Sequence, residues 1–178
     1  MGQSADVTHT TSRIRRVMYA SDFSRASLAA LPHAIDVAKA SDAELLILHV
    51  LPSPLLQPVF GEVSYIDQPT WDRLLAEAGE QAHKQLEPLL LSAREAGVHT
   101  DFFIVYGVGG TSAADEIVRA AIDKKVDMLV LGTHGRTGIA KFFLGSVAAR
   151  VLATAPCKVL TVRAPADAAP PATSKASH

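Results

Sequence analysis

Two hydrophobic rhythms alternate along the chain. Short, almost wholly apolar runs occur at Ile14 to Ala20, Glu44 to Val50, Asp101 to Val105, Asp127 to Leu131 and Lys158 to Val162. They predict strands, and Glu44 to Val50, apolar throughout, has the pattern of one buried on both faces, as in a parallel sheet. Between them, apolar residues recur at helical spacing. Leu28, Leu31, Ile35 and Ala38 form one stripe, with Ser24 as its N-cap. Pro32 within that helix removes a backbone donor and predicts a kink. Trp71, Leu74, Leu75, Ala78, Ala82, Leu86, Leu89, Leu90 and Ala93 form a second, bent near Pro88 and closed by Gly97. Ser112 opens a third helix, with Asp115 and Glu116 in its first turn and Lys124 and Lys125 at its end, a polarity that suits the helix dipole. Gly145 to Ala153 is a last, short helix.

Strands that alternate with helices predict an α/β fold: a five-stranded parallel sheet, doubly wound by right-handed crossovers. In such sheets ligands bind beyond the carboxyl ends of the strands, where the winding reverses. The segments just after Ala20, Val50, Val105 and Leu131 are therefore the places to look for chemistry. Leu51 to Pro69 carries four prolines and no helical period, and reads as a long surface loop or lid. Residues 1–13 read as a flexible N-terminal segment, 14–163 as one nucleotide-binding domain, and 164–178, rich in Ala, Pro and Ser, as a disordered tail.

Composition narrows the function classes. Seventeen basic and eighteen acidic side chains leave a formal charge of -1, which gives no general attraction to nucleic acid or an anionic membrane. No apolar run is long enough to span a bilayer, and residues Met1 to Arg16 lack an apolar signal core. Cys157 is the only cysteine, so the chain has no intrachain disulfide and no thiol cluster for zinc. A cytoplasmic location is expected.

The candidate chemistry follows the fourth strand. Gly132, Gly135, Gly145 and Ser146 lie around the strand end and the start of the last helix, with Arg136 and Lys141 in the connection. Glycines let a backbone approach a ligand closely, free amides at a helix start attract an anion, and the serine hydroxyl can add a bond. On these residues alone, a phosphate cradle and a plain glycine-rich turn are equally good readings. No Walker-type loop is present, and Gly107-Val-Gly109-Gly110 fails as a dinucleotide fingerprint because Ser112 stands where the third glycine belongs.

The Gly-x2-Gly-x9-Gly-Ser spacing from Gly132 to Ser146 resembles the nucleotide-binding motif of the universal stress protein family. VMYASDFSRAS at Val17 to Ser27, LHV at Leu48 to Val50 and APCKVLTVR at Ala155 to Arg163 are similar to other segments of that family. The resemblance implies a Rossmann-like sheet of the adenine nucleotide alpha-hydrolase-like type, with ATP or AMP in each subunit. It implies that Ala20 and Asp22 border the adenosine, Asp22 also facing the ribose or a nucleotide-bound Mg. It sets Val50 against adenine, Gly132, Thr133 and His134 beside the ribose and first phosphate, and Gly135, Gly145, Ser146 and Val147 around the phosphate chain. Arg136 joins the nucleotide-binding set as a loop cation. No metal site made by protein alone is implied.

The function this implies is a nucleotide-binding regulator of a stress response. A slow ATPase or self-phosphorylating enzyme, or a ligand-free interaction module, are the alternatives. No catalytic residue is assigned, because no general base or two-carboxylate clamp is visible. His49 reads as a hydrogen-bonded core histidine rather than a catalyst, and Cys157 as a packed thiol. A homodimer is expected through the last strand, an apolar edge.

Overall fold

The structure is a computed structural model of the 178-residue chain and describes residues 13–51, 67–107, 111–133 and 144–164. Its elements run β1 (Arg16–Ala20), α1 (Arg25–Ser41), β2 (Glu44–Leu51), α2 (Gln68–Glu95), β3 (Thr100–Tyr106), α3 (Ala113–Asp123), β4 (Met128–Gly132), α4 (Ser146–Thr154) and β5 (Lys158–Val162). The five strands form one parallel sheet in the order β3-β2-β1-β4-β5. The doubly wound parallel sheet is the one expected from the strand and helix rhythms, and the order places the reversal of the winding between β1 and β4.

Alternation along the central strands builds two cores. Val17, Tyr19, Leu45, Ile47 and Val130 face α1 and α2. Met18, Ala20, Leu46, Leu48, Leu129 and Leu131 face α3 and α4. Val17, Met18 and Tyr19 on β1 are wholly buried, because a strand inside a doubly wound sheet has helices on both sides. Tyr19 carries the one polar atom among these three side chains. Its hydroxyl donates to the Ser27 carbonyl at 2.7 Å, and burial pushes its pKa upward.

Helix ends follow local chemistry. The Ser24 hydroxyl accepts from Ser27 N–H and starts α1. Ser112 and Asp115 form a reciprocal capping box at α3. At the end of α2, Gly97 adopts φ 83 while Gly97 N–H donates to Arg94 O and Val98 N–H to Ala93 O. That paired pattern is the Schellman stop, and the left-handed φ accounts for the glycine.

α1 runs from Arg25 to Ser41 with Pro32 inside it. Two details depart from the sequence expectations. Leu28 is 43% exposed, and the buried stripe instead uses Ala26, Ala30, Leu31, Ala34, Ile35 and Ala38. Both ends of the expected loop from Leu51 to Pro69 belong to regular elements instead. Leu51 completes β2, and Gln68 and Pro69 open α2, where proline's fixed φ suits a first turn. Residues 52–66 lie outside the described residues, as do 1–12 and 165–178. Among the described residues, no helix is long and apolar enough to cross a membrane.

Candidate functional site

A cavity of about 350 Å³ opens where the winding reverses, beyond the carboxyl ends of β1, β2 and β4. Its volume falls in the usual range of small-molecule sites. Ala20, Ser21 and Asp22 form its floor from β1, and Leu48, His49 and Val50 one wall from β2. Leu131, Gly132 and Thr133 come from β4. Ala113 and Ile117, one helical turn apart on α3, supply an apolar side, and Gly145, Ser146, Val147 and Ala148 the remaining rim.

The rim from α4 is held in place by backbone bonds. Thr133 N–H donates to Val162 O at 2.9 Å, and Gly145 N–H donates to Thr133 O at 2.7 Å. The end of β4 and the start of α4 are thereby clamped together. Gly145 is the N-cap of α4 and provides no side-chain cap. The amides of Ser146, Val147 and Ala148 begin the helix and have no intrahelical acceptor. Their donors and the positive end of the helix dipole lie at the cavity rim, where an anion is favoured.

The opposite side is a polar turn. Ser24 N–H donates to Asp22 Oδ1 at 3.0 Å, and Phe23 N–H to Ser21 Oγ at 3.2 Å. Burial raises the Asp22 carboxyl, but hydrogen bonds from the Ser24 hydroxyl and backbone and from the Ser27 hydroxyl outweigh it, so Asp22 titrates below its ordinary value. It is a carboxylate at neutral pH. A carboxylate here accepts hydrogen bonds from hydroxyl groups and repels bare phosphate. The two sides of the cavity thus differ in sign: an acceptor at the β1 turn, donors at the α4 start.

Ala20, Asp22, Val50, Gly132, Thr133, Gly145, Ser146 and Val147, all named from the sequence, line this one cavity. His134, Gly135 and Arg136 belong to 134–143, outside the described residues. Sequence reading did not assign Ser21, Ser27, Leu48, Ala113, Ile117, Leu131 or Ala148 to a site, although they line the cavity. Their signal was positional. Leu48 and Leu131 lie in the carboxyl halves of β2 and β4 on the α3 side, and Ala113 follows the Ser112 cap. His49 is buried, and its Nδ1–H donates to Ser21 O at 2.7 Å, as a core histidine should. Burial raises the Cys157 pKa, consistent with a packed thiol.

The glycine at the end of β4 has a packing role as well. A β-carbon on Gly132 would lie 2.5 Å from the Ala26 carbonyl carbon and 2.7 Å from Ser27 N. The first turn of α1 can approach β4 that closely only over a residue without a side chain. Among the described residues, no group of three or more metal-ligating side chains occurs.

The profile of the universal stress protein family matches residues 13–163 of the chain. A universal stress protein of Methanocaldococcus jannaschii, MJ0531, is 38% identical over 153 residues, covering 85% of this chain and 83% of that protein. Among solved structures, MJ0577 of the same organism superposes with a TM-score of 0.72 at 26% identity, covering 85% of this chain and 96% of that one. A universal stress protein solved in complex with cAMP matches with a TM-score of 0.53 at 28% identity, covering 86% and 100% of the two chains.

Proposed function

Because the chain belongs to the universal stress protein family, we propose that it binds an adenine nucleotide, ATP or AMP, in the cavity at the switch point. Occupancy of that site regulates a stress response. The observation that carries this reading is the pairing of a carboxylate turn with an uncapped helix start across one cavity of about 350 Å³. The ribose hydroxyls donate to Asp22, adenine lies between Val50 and the apolar side made by Ala113 and Ile117, and the phosphates meet the amides of Ser146, Val147 and Ala148. Gly145 leaves room for them. His134, Gly135 and Arg136 complete the phosphate end, with Gly132 and Thr133 beside the ribose. The relative solved with cAMP supports an adenine ring and a phosphate as ligand parts.

Mg enters bound to the nucleotide phosphates in this reading. It would neutralise phosphate charge that Asp22 otherwise repels. The chain's own residues bind and orient; none is given the role of a general base, and regulation by occupancy rather than turnover is the output.

The assembly is a homodimer through β5. That strand is an edge of the sheet, and α4 beside it exposes Val147 and Leu152. A second copy covers this face and pairs with the free edge.

A melting scan with ATP, AMP, GTP and NAD tests the reading. Ligand at about 100 times its dissociation constant stabilises the native state by roughly 2.7 kcal/mol. ATP or AMP is expected to raise the melting temperature, and GTP and NAD are not. Equal shifts with all four, or none with any, would overturn the assignment.

A further inference from the structure

Phe23 stands in a conformation that bulky residues avoid, with φ 61 in the left-handed region. Such strain persists only where the surroundings over-determine it. Here it lets the chain leave β1, present Asp22 to the cavity and enter α1 at its Ser24 cap within a few residues. Part of the support is local: Phe23 N–H is held by Ser21 Oγ and Ser24 N–H by Asp22 Oδ1.

Further support comes from the neighbouring strand. His49 on β2 is only 3% exposed. Its Nδ1 meets the Ser21 carbonyl at 2.7 Å. A carbonyl only accepts, so Nδ1 carries the proton. The same imidazole lies against the Phe23 ring, with centroids 4.4 Å apart and planes tilted by 32°. One side chain thus holds the residue before Asp22 by a hydrogen bond and the residue after it by ring contact. Ser21 is buried too, so its carbonyl has little recourse to water if that donor is lost.

We propose that His49 is a positioning residue for ligand binding: it braces the turn between β1 and α1 in its strained form, so that Asp22 meets the ligand already oriented. The ligand part of this proposal rests on the cavity's reading as an adenine nucleotide site. A braced turn costs less ordering on binding, which is the advantage of a preformed site.

The donor position makes the proposal specific. An asparagine amide branches from the same carbon as Nδ1 and can replace that donor. A glutamine amide reaches farther and cannot donate from the same point. ATP affinity by calorimetry, and amide hydrogen exchange at Phe23 and Ser24 without ligand, are compared in wild type, His49→Leu, His49→Asn and His49→Gln. Leu and Gln are expected to weaken ATP binding about tenfold, which is roughly 1.4 kcal/mol, and to speed exchange at both amides. Asn is expected to restore affinity to within about threefold and to restore slow exchange.

Unchanged exchange in the Leu and Gln variants overturns the bracing role, as does equal behaviour of Asn and Gln. Should the Leu variant fail to fold, the Asn and Gln pair decides alone. Slow exchange with full affinity in Gln overturns the need for Nδ1. Wild-type protein that takes up no nucleotide overturns the proposed function instead, and the exchange rates still decide whether His49 holds the turn.

Discussion

A β-carbon at Gly132 would meet the Ala26 carbonyl and the Ser27 amide, two backbone groups that cannot swing aside. Gly132→Ala therefore forces α1 off the sheet, and overpacking of this kind costs about 1–3 kcal/mol. A lowered urea midpoint with no ligand present checks this; an unchanged midpoint contradicts it. Asp22 supplies a pH prediction with a defined sign. Its folded pKa lies below its unfolded value, so its contribution to stability is present above the unfolded pKa and is lost as pH falls through the folded one. The stability gap between wild type and Asp22→Asn is thus expected to be widest near neutral pH and to narrow below about pH 4. Chemical denaturation across that range measures it, and a gap that widened in acid would contradict the sign. Both residues stood out in the sequence, but for incomplete reasons. The glycine looked like a ligand contact, and its packing against α1 depends on a helix far away in the chain. The lowered Asp22 pKa depends on hydroxyls that only the folded turn brings into range.

At the level of elements, the helix starts differ in their caps. α1 and α3 have serine caps, whereas Asp67 at α2 and Gly145 at α4 make no side-chain cap bond, and of these two only the α4 start borders the cavity. Ser24→Ala removes the side-chain acceptor of the Ser27 amide and should cost about 1 kcal/mol, seen as a lower melting temperature. Gly145→Val should leave the fold intact, because Gly145 sits at φ -60, which any residue adopts. The added side chain stands where the phosphates are proposed to lie, so ATP binding should be lost; retained affinity would count against the phosphate end of the site. β5 offers a third test. Lys158 N–H bonds to Asp127 O, and Val162 O accepts from Thr133, so the even-numbered residues face β4 and Thr161 turns its N–H to the free edge. Thr161→Pro deletes that outward donor without touching the sheet. It should shift the proposed dimer toward monomer in sedimentation, with the monomer still folded. The bounds of β5 and the Ser112 cap could be read from residue pattern alone, because strand rhythm and capping are local. The position of Leu28 outside the buried stripe could not, since several faces of α1 offer small apolar residues and only the sheet selects among them.

For the whole molecule, five apolar runs separated by helices were enough to imply the doubly wound sheet, because right-handed crossovers leave few topologies. The switch-point rule pointed to the ends of β1, β2, β3 and β4; the cavity takes the ends of β1, β2 and β4 and leaves out that of β3, because the winding reverses between β1 and β4. What pattern could not supply was part of its lining: Ile117 from α3 and His49 from β2 border the cavity through the packing of the fold, not through any motif in the chain. An adenine nucleotide in this cavity, with its phosphates on the start of α4, would be seen by following amide chemical shifts during a titration with ATP. The largest shifts are expected at Ser146, Val147 and Ala148, with smaller ones at Ala20 and Val50. Shifts confined to other surfaces, or none at saturating ATP, would contradict it.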